Sequence, residues 1–179
     1  MNEKVNVFDY TKEIIDALAK GVLVTTKADD KVNSMVISWG AIGIEWGKPI
    51  FTIYIRESRY TRELLEKNGE FTVNIPMGSY DKKKITNICG SMSGHDIDKI
   101  KAANLTLVDS EEISVPGIKE LPLTLECKVL YKQKQDKKAI GQEQTEKYYP
   151  YDIPGTYHGS NRDYHTAYYG EIVRASIIK

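Results

Sequence analysis

A chain of 179 residues, 41% hydrophobic and 28% charged, has the composition of one ordinary globular domain with a substantial core. Its 25 basic residues balance 25 acidic ones, which argues against nucleic acid or an anionic membrane as partner, since both bind through excess Lys and Arg. Two cysteines imply no disulfide framework, no apolar run is long enough to span a bilayer, and the start MNEKVNVFDY lacks the basic-then-apolar order of a signal peptide; a reduced, cytoplasmic protein is predicted.

In chain order, Asp9 is placed to cap a helix whose apolar face is Ile14, Ile15 and Leu18, with Gly21 ending it. GVLVTTKA reads as a strand, Asp29-Asp30-Lys31 as a hairpin turn, and VNSMVISWGAIGI as one returning strand. Ser34, Ser38, Gly40 and Gly43 interrupt that apolar run. Two readings stand side by side: backbone N–H groups exposed toward the polar edge of a planar heterocycle, or a barrel corner with Trp39 packed in the core.

PIFTIYI is rich in β-branched and aromatic residues and predicts the next strand. A short turn follows with Arg56, Ser58, Arg59 and Thr61, then a helix from about Ser58 to Lys67 that ends at Asn68-Gly69. Free N–H groups at a helix start, beside guanidinium and hydroxyl donors, suit a phosphate and hence a mononucleotide-like cofactor. On local residues alone the blander reading is favoured: a surface helix capped by Ser58 with solvated arginines. Neither GxxxxGK[ST] nor GxGxxG is present, which disfavours nucleoside-triphosphate and dinucleotide folds.

The strand EFTVNIP turns Phe71, Val73 and Ile75 toward one face, and helical spacing recurs at Tyr80, Ile85 and Ile88. The loop CGSMSGH precedes a short helix from Ile97 to Ala103. LTLVD, LTLECKVLYKQ and AYYGEIVRASII then read as strands, with Cys127 a buried strand residue beside Leu125 and Val129. Residues 135–165 form a long polar, tyrosine-rich excursion, a length that marks a lid, a partner contact or disorder. Twelve tyrosines against three phenylalanines also suggest a contact surface. The sum is a mainly β fold with peripheral helices, closed or nearly closed as an antiparallel barrel.

Cys89, His95, Cys127, His158 and His165 match no CxxC or HExxH spacing, so no metal site is predicted. Cys89 has no base fixed beside it, and no GxSxG elbow supports a serine triad; no conventional catalytic side chain is assigned.

Taken in order, GVLVTT, NSMVISWG, IRESRYT, EFTVNIP, CGSMSGHDIDK, NLTLVDSEEISVPGIKELPLTLECKV and AYYGEIV resemble the flavin reductase-like family of FMN-binding split-barrel proteins, which includes flavoredoxin-type proteins. The resemblance runs from Ala19 to Ile177, apart from the 135–165 excursion. It implies an FMN-binding split β-barrel as a single domain over 1–179, a homodimer with FMN noncovalently bound near the interface, and oxidoreductase activity. By that resemblance Arg56, Ser58, Arg59 and Thr61 hold the phosphate, and Met35, Val36, Ile37, Ser38 and Trp39 run along the isoalloxazine. Cys89, Gly90, Ser93 and Lys99 fall in a second cofactor-contacting loop. NAD(P)H is the implied donor, although no clear nicotinamide signature appears; a redox-protein partner acting through a non-enzymatic FMN carrier, or a ligand-binding barrel without redox turnover, are the alternatives. Tyr164, His165, Tyr168 and Tyr169 are candidates to cover the flavin or to serve a dimer surface.

Overall fold

The structure, a computed structural model, describes residues 2–150 and 163–179; residues 151–162 of the excursion, His158 among them, lie outside the described residues. A short strand β1 (Glu3–Lys4) and a 3-10 turn (Val7–Tyr10) lead into α1 (Thr11–Leu18). Asn6, not Asp9, caps this region: its side chain accepts the Phe8 N–H, because the 3-10 turn starts before Asp9 and encloses it. Ile14 and Leu18 face the core as expected, whereas Ile15 is exposed.

β2 (Val22–Ala28) and β3 (Lys31–Ile37) form the predicted hairpin, paired from Ala28 with Lys31 to Val22 with Ile37. The single returning strand of the sequence reading is two strands. β3 stops at Ile37, Ser38 and Trp39 turn the chain, and β4 (Gly40–Glu45) pairs with β5 (Lys48–Arg56) instead of β2. Trp39 stays partly exposed at that corner, 37% accessible, and is not a core residue. α2 (Tyr60–Asn68) follows and ends at Gly69, whose φ of +72° is the left-handed conformation glycine adopts without strain.

β6 (Glu70–Ile75) precedes α3 (Lys82–Ile85), a single π-helical turn (Thr86–Gly90) and α4 (Lys99–Ala103). Among the described residues, β7 (Leu107–Val108) and β8 (Gly117–Ile118) pair with each other alone. The two long strands are β9 (Leu123–Lys134) and β10 (His165–Ile177). Between them the excursion carries a helix the sequence reading did not foresee, α5 (Gln142–Tyr148), which is polar on nearly every side and so lacks an apolar stripe.

Among the described residues the main sheet is antiparallel, ordered β3-β2-β6-β9-β10-β5-β4, with β1 joining beside β10. Its two edge strands, β3 and β4, are neighbours in the chain. Three peptide steps from Ile37 to Gly40 span at most about 11 Å, so the sheet must roll until its edges nearly meet. They do not pair, so the barrel stays split at Ser38-Trp39. Inside it lie Val24, Phe51, Ile53, Phe71, Val73, Leu125 and Tyr168. Leu23 points the other way, into a second cluster with Ile85, Ile100 and Leu121. β2 is thus buried on both faces, which explains why GVLVTT reads as continuous rather than alternating.

Candidate functional site

The split opens into a cleft of about 250 Å³. Met35, Val36 and Ile37 at the end of β3 line it together with Ser38 and Trp39 of the link. β5 contributes Tyr54 and Arg56, the turn after it Arg59, and Gly90 and His165 complete the lining. Tyr54 and Arg56 are two residues apart and share a face, while Ile53 and Ile55 between and beside them enter the core. β3 is the terminal strand, so alternate residues of it direct their N–H and C=O groups away from β2.

Arg56 is buried, and its guanidinium is held from several sides. Nη1 donates to the Asp163 carbonyl at 2.6 Å and Nη2 to the Tyr148 carbonyl at 3.0 Å. The group lies 5.9 Å over the Trp39 ring and 5.1 Å over Tyr149. Burial pulls its pKa below the ordinary arginine value and the Asp163 carboxylate opposes that pull; an arginine so placed remains charged. Beside it, Ser58 N–H donates to Asp163 Oδ2 at 2.7 Å. Ser58 does not cap α2: the capping position is Arg59, one residue later, with no side-chain cap bond.

His165 pairs with Arg56 across β10 and β5, and its ring tilts against Trp39 at 5.1 Å. Its protonation pattern follows from its neighbours. The His165 backbone N–H donates to Gln135 Oε1 at 2.9 Å, which fixes that atom as the oxygen. The Tyr149 hydroxyl, also 2.9 Å from Oε1, must donate to it. Tyr149 therefore has no proton left for His165 Nδ1, 3.0 Å away, so Nδ1 carries the hydrogen and donates. Burial, then the charge of Arg56, lower the His165 pKa to about 4. The ring is neutral near pH 7, and Nε2 is its acceptor.

The second loop is built around Lys99, which is buried and donates to the Cys89 carbonyl at 3.1 Å. Burial lowers the Lys99 pKa, the Cys89 thiol opposes this, and Arg59 adds to it. Burial likewise pushes the Cys89 thiol up to about 11, so it is a poor nucleophile. Asp98 caps α4 by accepting the Lys101 N–H. Gly94 presses this loop onto α2 and β3: a Cβ there would lie 2.3 Å from Asn33 Oδ1 and 2.6 Å from the Tyr60 ring. Asn33 in turn donates to Thr61 Oγ1 at 2.7 Å, and His95 packs on Tyr60 while pairing with Glu63 at 3.0 Å.

Of the residues singled out in the sequence, Met35, Val36, Ile37, Ser38, Trp39, Arg56, Arg59 and Gly90 meet at the cleft. Ser58 faces Asp163, Thr61 is buried against Asn33, Cys89 is buried behind Gly90, Ser93 accepts the His95 N–H, and Lys99 lies behind the loop; none of these five is in the lining. Tyr54 lines the cleft and was missed, though its two-residue spacing from Arg56 was the available signal. Of the four late aromatic candidates only His165 reaches the cleft. Tyr164 stacks on Tyr149 at 4.5 Å, Tyr168 donates to Glu66 Oε1 at 2.6 Å from the core face, and Tyr169 meets Tyr131 on the opposite face.

The residues present fit an anion carried by a flat ring. The Arg56 guanidinium already donates to two carbonyls and the Ser58 N–H to a carboxylate, and among the described residues an unpaired strand edge runs beside a partly exposed indole.

A curated, uncharacterized protein of Archaeoglobus fulgidus is 34% identical over 101 residues, a match that takes in 56% of this chain and 55% of that protein's own length. Among solved structures, the flavoredoxin of Desulfovibrio vulgaris (Miyazaki F) superposes with a TM-score of 0.64 at 23% identity, covering 89% of this chain and 69% of its own. The FMN-binding domain of a flavin reductases-like enzyme from Shewanella baltica superposes with a TM-score of 0.68 at 17% identity, covering 99% and 77%. These likenesses establish the fold, an open, split-barrel-like sheet. A sequence model of the flavin reductase like domain matches residues 17–179, and the chain belongs to that family.

Proposed function

We propose that this protein binds FMN noncovalently in the cleft at the barrel split and acts as an FMN-dependent oxidoreductase, taking electrons from NAD(P)H. The observation that carries the reading is the juxtaposition of Arg56 and Arg59 with the Met35–Trp39 edge in a chain of this family. Solved relatives described as FMN-binding support the choice of flavin.

Bound FMN supplies the redox chemistry, accepting and passing on a hydride or single electrons. The chain's own groups bind and orient. Arg56 and Arg59, with the Ser58 N–H at the entry to α2, neutralise the phosphate. Outward N–H and C=O groups of Met35 to Trp39 meet the polar edge of the ring, and donors there stabilise the negative charge of the reduced state. Trp39 and Tyr54 wall the cleft, and His165 offers a neutral acceptor at Nε2. Lys99 holds the second loop through the Cys89 carbonyl. No side-chain acid or base is required, so none is named catalytic.

A cleft of about 250 Å³ is smaller than the roughly 300–1,000 Å³ of sites that enclose a ligand. A second copy of the chain would complete it. The outer face of β4, β5, β10 and β9 suits that role: Ala41 and Gly43 leave it low, and Trp46, Tyr131 and Tyr169 rim it.

Anaerobic mixing of the FMN-loaded protein with NADH or NADPH tests the activity. Bleaching of the flavin band by either nucleotide is expected; a band untouched by both, but bleached by a reduced ferredoxin-like protein, would move the assignment to an electron carrier.

A further inference from the structure

The antiparallel pairing of β5 and β10 does not end where the strands do. His165 sits opposite Arg56, and Glu57 N–H then donates to the Tyr164 carbonyl at 3.1 Å. One step further along the same ladder brings Asp163 beside Ser58, so the chain's own geometry delivers a carboxylate to the start of α2. Three oxygens of the excursion thereby sit on the donors of the anion seat. Asp163 Oδ2 accepts from Ser58 N–H, the Asp163 carbonyl from Arg56 Nη1, and the Tyr148 carbonyl from Arg56 Nη2. The same stretch packs Tyr149 on the Arg56 guanidinium and sets the Tyr148 ring perpendicular to Trp39, 5.0 Å between centroids.

We propose that Asp163 is an internal ligand of the phosphate seat, a latch that a phosphate-bearing molecule must displace. The inference rests on the FMN reading for its natural ligand but not for its physics. A phosphate needs the same Ser58 N–H and the same face of Arg56, and two anions cannot share one N–H at hydrogen-bond distance. Binding and latching therefore exclude each other. Every increment of affinity between Asp163 and the seat is subtracted from the affinity for phosphate. Because Tyr148 bears on Trp39, unlatching changes the surroundings of that indole and supplies an optical signal that needs no flavin.

The test uses the full chain with Trp46→Phe, which leaves Trp39 as the sole tryptophan of the two in the sequence. Asp163→Asn keeps the shape and removes the charge; Asp163→Ser serves as the second variant should the first fail to fold. Each protein is titrated with inorganic phosphate by Trp39 fluorescence, then with FMN and with riboflavin, which lacks the phosphate. The latch predicts about tenfold tighter phosphate and FMN binding in the variant, with riboflavin unchanged, the scale of exchanging a charged for a neutral hydrogen bond. Equal or weaker phosphate and FMN binding in the folded variant overturns it, as does the absence of any phosphate response in both proteins. Tighter phosphate binding without binding of either flavin leaves the latch standing and removes the FMN reading. Equal FMN and phosphate affinities in the two proteins do the reverse.

Discussion

His165 shows how one side chain couples the cleft to stability. Its folded pKa is about 4 against the ordinary 6.5. Between those values the unfolded ring binds a proton that the folded ring refuses, so the unfolded state gains as pH falls. Its contribution is therefore intact above pH 6.5 and declines through pH 4. Urea midpoints at pH 7.5 and pH 5 should fall apart more in the wild type than in His165→Gln, where no imidazole titrates. Parallel pH dependence in the two proteins would mean that the ring is not held neutral. Residues such as Arg56 and Trp39 were visible in the sequence because they sit in local patterns. The place of His165 beside Arg56 was not, because it depends on a pairing of two strands far apart in the chain. Asp163 was hidden for the same reason.

At the scale of elements, the sequence reading succeeded where periodicity decided. The α2 helix and its end at Gly69, the alternation of Phe71, Val73 and Ile75, and the long β9 and β10 strands all follow from it. It failed at Ser38-Trp39, where the apolar run continues although the pairing partner changes from β2 to β5. Hydropathy records burial and not which strand lies alongside, so in the sequence the break that makes the cleft looks like an interruption of one strand. The loop from Ser91 to Asp98 has a similar hidden requirement. Its approach to β3 and α2 depends on the missing side chain of Gly94. Gly94→Ala should cost about 1–3 kcal/mol by forcing Asn33 off Thr61, the range for overpacking a close contact. Urea unfolding measures it, and FMN affinity should fall with it. A variant with the wild-type midpoint would show that the loop yields freely.

At the scale of the whole molecule, the outer face of β4, β5, β10 and β9 exposes Ala41, Gly43 and Tyr131 among the described residues, and the proposed homodimer uses it. Gly43 lies on that face, and a Cβ added there would meet nothing within 4 Å, so a side chain starts into open space rather than into the protomer's core. Sedimentation velocity should find a dimer for the wild type and a monomer for Gly43→Trp, with weaker FMN binding by the monomer. A Gly43→Trp dimer would assign the contact to another surface.

The proposed FMN site depends most on the phosphate grip of Arg56, the Ser58 N–H and Arg59. Titration calorimetry with FMN and with riboflavin, on wild type and Arg59→Ala, isolates that grip. FMN should bind the wild type at least tenfold more tightly than riboflavin, and Arg59→Ala should lose about 1–3 kcal/mol for FMN alone, as expected for charged hydrogen bonds. Equal affinities for the two flavins, or an Arg59→Ala variant that holds FMN as well as the wild type does, would mean that these arginines do not hold the phosphate.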